Sequence, residues 1–211
     1  MRTAFTSKAF IKMIVGNFSA CSSMKNGVCY KSRPSHLLEG LLVEKTSYKG
    51  AFYFHLFVSP LWLARQAPIL NYSLRFAVKR VEGNSLDETV VTISKTIQTD
   101  EILSRYVEGE ERTPQDFLKG AFSRFDPISS PHIFELFDFA VTNVLCDKLN
   151  VGLVSLKRFQ SLRKSVDDIK ALYAGMLITS LEDRDDHHLS IIEDMEKIGR
   201  NNLGLEAKGP S

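Results

Sequence analysis

Several kinds of signal are missing from this 211-residue chain, and each absence removes a class of protein. Cysteine is scarce: Cys21, Cys29 and Cys146 make an odd number with no C-x-x-C pair. That argues against a disulfide framework and against a cysteine zinc site, and it suits a reducing compartment, so a cytoplasmic location is expected. No run approaches the roughly 20 consecutive apolar residues of a membrane-spanning helix, so no membrane span is expected. The phosphate-cradling loops G-x-x-x-x-G-K-[ST] and G-x-G-x-x-G do not occur, which sets aside nucleotide-driven chemistry of those types. There is no G-x-S-x-G elbow or other nucleophile motif to accompany His36, His55, His132, His187 and His188. No cofactor is expected, and the enzyme reading is the weaker one.

Acidic residues are absent before Glu39, while the same stretch holds Arg2, Lys8, Lys12, Lys25, Lys31 and Arg33 among many serines. That composition is the one found in organellar transit peptides, which gives an alternative location. A lipoprotein-type signal ending Phe18-Ser19-Ala20-Cys21 would need a longer apolar core than Met13 to Val15 supplies. Phe10, Met13, Ile14 and Phe18 also recur at i, i+3, i+4 and i+8 behind a capping Ser7, so this segment reads as a retained amphipathic helix.

What the chain does contain is globular in balance, with 44% hydrophobic and 25% charged residues. The net charge of +2 conceals a dipole in sequence. Met1 to Val81 carries 12 basic against two acidic residues, or +10, and Glu82 to Ser211 carries 15 against 23, or −8. The acidic excess is interrupted by Val151 to Lys170, which carries 5 against 2, or +3. Two parts of opposite sign either neutralise each other or present charge to a partner.

Periodicity divides the chain into a strand part and a helical part. Leu70 to Lys79 alternates with period two, setting Leu70, Tyr72, Leu74, Phe76 and Val78 on one face. Ala51 to Ser59 and Leu37 to Thr46 are further strands, joined through a hairpin loop at Ser47-Tyr48-Lys49-Gly50, and Val28 to Arg33 supplies an edge strand. From Ser85 the signals are helical: a capping box at Ser85-Leu86-Asp87-Glu88, a cap with a following proline at Thr113-Pro114, and another at Ser130-Pro131. The helix after Pro131 runs through Phe134, Phe137, Val141, Val144 and Leu145 as the central buried helix and should stop near Asn150-Val151-Gly152. Ser155 to Ile198 would make one helix about 65 Å long, too long for a compact domain, so either it breaks, at Glu182 to His188, or it projects and finds a partner helix.

The expected fold is a single α+β domain over residues 1–200. It comprises an N-terminal helix, an antiparallel sheet of three to four strands within residues 28–81, and a C-terminal helical layer over 82–200, with 201–211 a flexible tail. Three functional readings follow. The first is a non-enzymatic protein-interaction or regulatory, immunity-like module that binds a protein partner through its charge-polarised surface, with homo-oligomerisation through the C-terminal helix. The second is nucleic-acid binding on a sheet face, with Tyr53 and Phe57 stacking on bases while Arg75, Lys79 and Arg80 neutralise phosphates. The third is a metal-assisted hydrolase: in Glu182-Asp183-Arg184-Asp185-Asp186-His187-His188, Asp183 and His187 would lie four apart on one helix and offer two ligands. His55, between Tyr53 and Phe57, has the setting of a pocket base but more ordinarily of a packing residue.

Overall fold

A computed structural model describes residues 21–23, 28–31, 36–45, 52–64, 72–78, 88, 91, 95, 99, 112–123, 133–162 and 168–205. The fold is mixed α+β. Its strands are β1 (Cys21–Ser23), β2 (Val28–Lys31), β3 (Leu37–Lys45), β4 (Phe52–Pro60) and β5 (Ser73–Val78). Its helices are α1 (Pro114–Ala121), α2 (Ile133–Leu145), α3 (Leu149–Ser161), α4 (Asp168–Asp183) and α5 (His187–Leu203). Glu88, Val91, Lys95 and Thr99 are also helical, and all four are exposed. The expected N-terminal helix and the hairpin loop at 47–50 lie outside the described residues.

Contacts gather the chain into two compact units. One comprises Met1–Ser59 with Ala67–Glu111, the other Pro60–Gln66 with Arg112–Ser211. The division does not follow the charge boundary at Val81, because residues 82–111 group with the strands and the segment after β4 groups with the helices.

In the strand unit the sheet has five strands in the order β1-β2-β3-β4-β5, one more than the three or four expected from periodicity. The extra strand, β1, spans only Cys21–Ser23, too short for alternation to register. It pairs antiparallel with β2 (Ser22 opposite Tyr30), so β2 is not the edge. The β4–β5 register places Phe52 opposite Val78, Phe54 opposite Phe76 and Leu56 opposite Leu74. Those apolar positions therefore share one face, because directly opposed residues project to the same side.

In the helical unit, α2 is the central element. Every residue from Leu136 to Val144 is buried. Two of the three polar ones among them bond back within the helix, Thr142 Oγ1 donating to Asp138 O (2.6 Å) and Asn143 Nδ2 to Phe139 O (2.8 Å). Phe137 meets Phe159 of α3 with ring centroids 5.1 Å apart, and Phe139 meets Phe122, just past α1, at 5.4 Å. The start of α1 is the expected cap. The Thr113 hydroxyl accepts from Asp116 N (3.2 Å) while the Asp116 carboxylate accepts from Thr113 N (3.1 Å), and Pro114 opens the helix. The Thr113 hydroxyl also donates to the Asp116 carboxylate (2.7 Å), and this bond first, then the Thr113 N–H, holds the Asp116 carboxyl below the usual carboxylate range.

Helix α2 ends earlier than the expected stop near Asn150 to Gly152. Asp147 takes left-handed geometry (φ 59°), its N–H donating to Val144 O and that of Lys148 to Asn143 O. Aspartate visits this region more readily than most residues, so it can end a helix where glycine is the usual signal. Gly152 instead lies inside α3, where a Cβ would sit 2.6 Å from Val144 Cγ2; its smallness serves helix packing. The long C-terminal segment breaks at the expected place, with Arg184 left-handed (φ 55°) between α4 and α5. A further division separates α3 from α4. The expected flexible tail from 201 is corrected as far as residue 205. Asn201–Leu203 complete α5, Leu203 and Leu205 are buried, and Asn202 Nδ2 donates to Ala64 O (2.9 Å).

The segment Pro60–Ala64 is buried among these helices and fastened by polar contacts. Trp62, the one tryptophan of the chain, is buried and donates from Nε1 to Asp138 Oδ1 (3.0 Å). Leu63 N donates to Met195 O (3.0 Å). Lys170 of α4 reaches the same Asp138 oxygen at 3.9 Å and lies 5.0 Å from the centre of the Phe137 ring. One carboxylate thus ties the segment, α2 and α4 together.

Candidate functional site

The residues expected to bind nucleic acid fall on β4, on β5 and beyond. The register pairs Tyr53 with Ala77 and His55 with Arg75, so positions 53, 55, 57, 73, 75 and 77 do belong to one sheet face. Phe57, however, is 0% exposed and His55 is buried. A ring with no accessible face cannot stack on a base, so Phe57 is removed from the expected platform. The reason is that β4 is buried on both faces over His55 to Ser59, where period two alone implies one open face. Lys79 and Arg80 lie outside the described residues.

The metal reading required Asp183 and His187 on one helical face. They are instead the last residue of α4 and the first of α5, with Arg184 turning the chain between them. The i, i+4 geometry is therefore not formed. Among the described residues no group of three or more His, Cys, Asp or Glu side chains is placed to hold a metal ion.

The α4–α5 junction is built by Asp185 rather than by that pair. Its carboxylate accepts from the Ser180 hydroxyl and from His187 N (3.0 Å), joining the last turn of α4 to the first N–H of α5. The Ser180 hydroxyl first, then the His187 N–H and the two neighbouring imidazoles, hold the Asp185 carboxyl below the usual carboxylate range. His188 is buried, with Nδ1 2.9 Å from Asp185 O. A carbonyl only accepts, so Nδ1 is the donor in this bond. A cleft of about 450 Å³ lies between this junction and the α2–α3 corner, lined in part by Asp147, Asn150, Arg184, Asp186 and His188. Among the described residues its lining holds no serine, threonine or cysteine.

The more telling surface is the outer side of α3 and α4. Helix α4 carries no charged residue from Ala171 to Leu181. One side of it is core, with Ala171, Ala174, Leu177 and Leu181 buried. The other side is apolar as well, yet Ile169 is 37%, Leu172 62% and Met176 43% exposed. These three are spaced i, i+3 and i+7, one continuous row on a helix. On α3, Val151 and Val154 form a similar row, Val154 being 67% exposed. Lys157, the next residue after Val154 at that spacing, pairs with Glu182 of α4 at 2.6 Å. Single exposed apolar residues are ordinary, but a continuous row of them on an uncharged helix is of the kind that marks an interaction surface. Reading for motifs and charge missed this surface. The available signal was the length of the uncharged run, which exceeds what one buried helix face requires.

Among the described residues no helix is long and apolar enough to cross a membrane. Comparison with known protein families, with curated proteins and with solved structures finds no match.

Proposed function

We propose that this chain is a non-enzymatic protein-interaction module, of the regulatory or immunity type, that docks a protein partner on the outer rows of α3 and α4. The observation that carries the reading is that α4 is apolar on both sides while only one side is core. A helix apolar all round is ordinarily enclosed, because about 25 cal/mol is lost for each Å² of apolar surface left in water. Covering Val151, Val154, Leu172 and Met176 with a partner recovers that free energy. The nucleic-acid alternative retains Tyr53, Arg75, Lys79 and Arg80 but draws no support from Phe57.

A photo-activated cross-linking residue at position 172 tests the reading in the cells that make the protein, with exposed Glu193 of α5 as the control position. A protein adduct is expected from position 172, is not expected from position 193, and should be lost when Val154→Glu is added. No adduct at 172, or equal adducts at both positions, contradicts the proposal.

A further inference from the structure

Resting on the docking face just proposed, we infer that its occupant is a second copy of this chain, with α4 of one copy antiparallel to α4 of the other across a two-fold axis. The charge on the face supports a copy over a charged partner. From Ala171 to Leu181 there is no charge, and the bordering Lys157 and Glu182 neutralise each other within one chain. A surface that is apolar and self-neutral does not repel itself, and it offers an acidic or basic partner helix nothing to select.

The spacing supports the same occupant. A two-fold contact is isologous, so the patch must be complementary to itself under reversal. Ile169, Leu172, Met176 and Thr179 fall at i, i+3, i+7 and i+10, the alternating three-and-four spacing of a helix seam. Reversing α4 about a dyad at the level of Ala174 sets Leu172 against Met176 of the second copy and Ile169 against its Thr179. The row maps onto itself with its two largest exposed apolar residues at the centre.

Sedimentation equilibrium on the purified full chain provides the test. The wild type is expected at twice the 23.8 kDa chain mass, and Leu172→Glu at the monomer mass with an unchanged circular dichroism spectrum. The variant should weaken the dimer at least about 30-fold, the loss typical of a residue central to an interface. For the register, Cys21, Cys29 and Cys146 are replaced by serine, and a Leu172→Cys chain is mixed with a Met176→Cys chain. The mixed disulfide should form faster than either self-pairing. A monomeric wild type, a dimer untouched by Leu172→Glu, or self-pairing that outruns the mixed disulfide each overturns the inference. A monomer whose position 172 still cross-links to a different protein overturns self-pairing alone and leaves the interaction module standing.

Discussion

Gly199→Ala is expected to cost the helical unit about 4 kcal/mol or more, among the largest effects a single methyl group produces. A Cβ at this position of α5 would lie 1.7 Å from Leu61 O and 2.9 Å from both Leu61 C and Ala64 N. All three are backbone atoms, so no rotamer change relieves the overlap. The segment Pro60–Ala64 must back away from α5, which also strains the Leu63 N to Met195 O bond and the Asn202 Nδ2 to Ala64 O bond. Denaturant unfolding measures the loss. Gly120→Ala in α1 is the control: nothing lies within 4 Å of its added Cβ, and it should stabilise by about 0.5–1 kcal/mol through helix propensity. Equal, small effects at the two positions would show that the segment does not sit against α5.

Asp138→Ala should be nearly as damaging, at about 3–5 kcal/mol, because it removes one member of a buried charged cluster. The substitution takes the acceptor from Trp62 Nε1 and a counter-charge 3.9 Å from Lys170, whose side chain is 7% exposed. Desolvating an ammonium group is costly, and Asp138 contributes to offsetting that cost. Asp138→Asn keeps an oxygen for the indole N–H and loses only the charge, so it should cost clearly less than alanine. If asparagine and alanine destabilise equally, the Trp62 hydrogen bond contributes nothing and the carboxylate acts through charge alone.

Both predictions concern a segment that the sequence makes visible only as an apolar run, Leu61-Trp62-Leu63-Ala64, following a strand. Period two and capping chemistry are local, and they located β3, β4, β5 and the start of α1, while the length of a continuous helix pointed to the break before α5. Whether an irregular segment is enclosed by helices far along the chain depends on long-range packing. A single buried tryptophan with one carboxylate partner leaves no periodic trace of that packing. Glycine misled for a related reason. Gly152 looked like a helix terminator and is a packing contact, whereas Asp147 and Arg184 end helices in a conformation more usual for glycine.

The functional surface was legible in part. The uncharged run of α4 can be read from the sequence, but telling its core side from its open side requires knowing which neighbours α2, α3 and α5 provide. The proposed stacking platform failed at Phe57 for the complementary reason: alternation assigns a residue to a face and is silent on whether that face is covered. The face argued to dock a partner is close to electrically neutral.

Methionine oxidation inside the cell tests the covered face most directly. Met176 sits in the exposed row, and Met195 of α5 is 0% exposed and serves as the internal standard. With brief peroxide treatment of cells, the account predicts that Met176 of the wild type is protected almost as well as Met195, and that Leu172→Glu makes it react as an open methionine while Met195 stays protected. Rapid oxidation of Met176 in the wild type, at the same rate as in the variant, would mean that nothing covers α4 and would contradict the account.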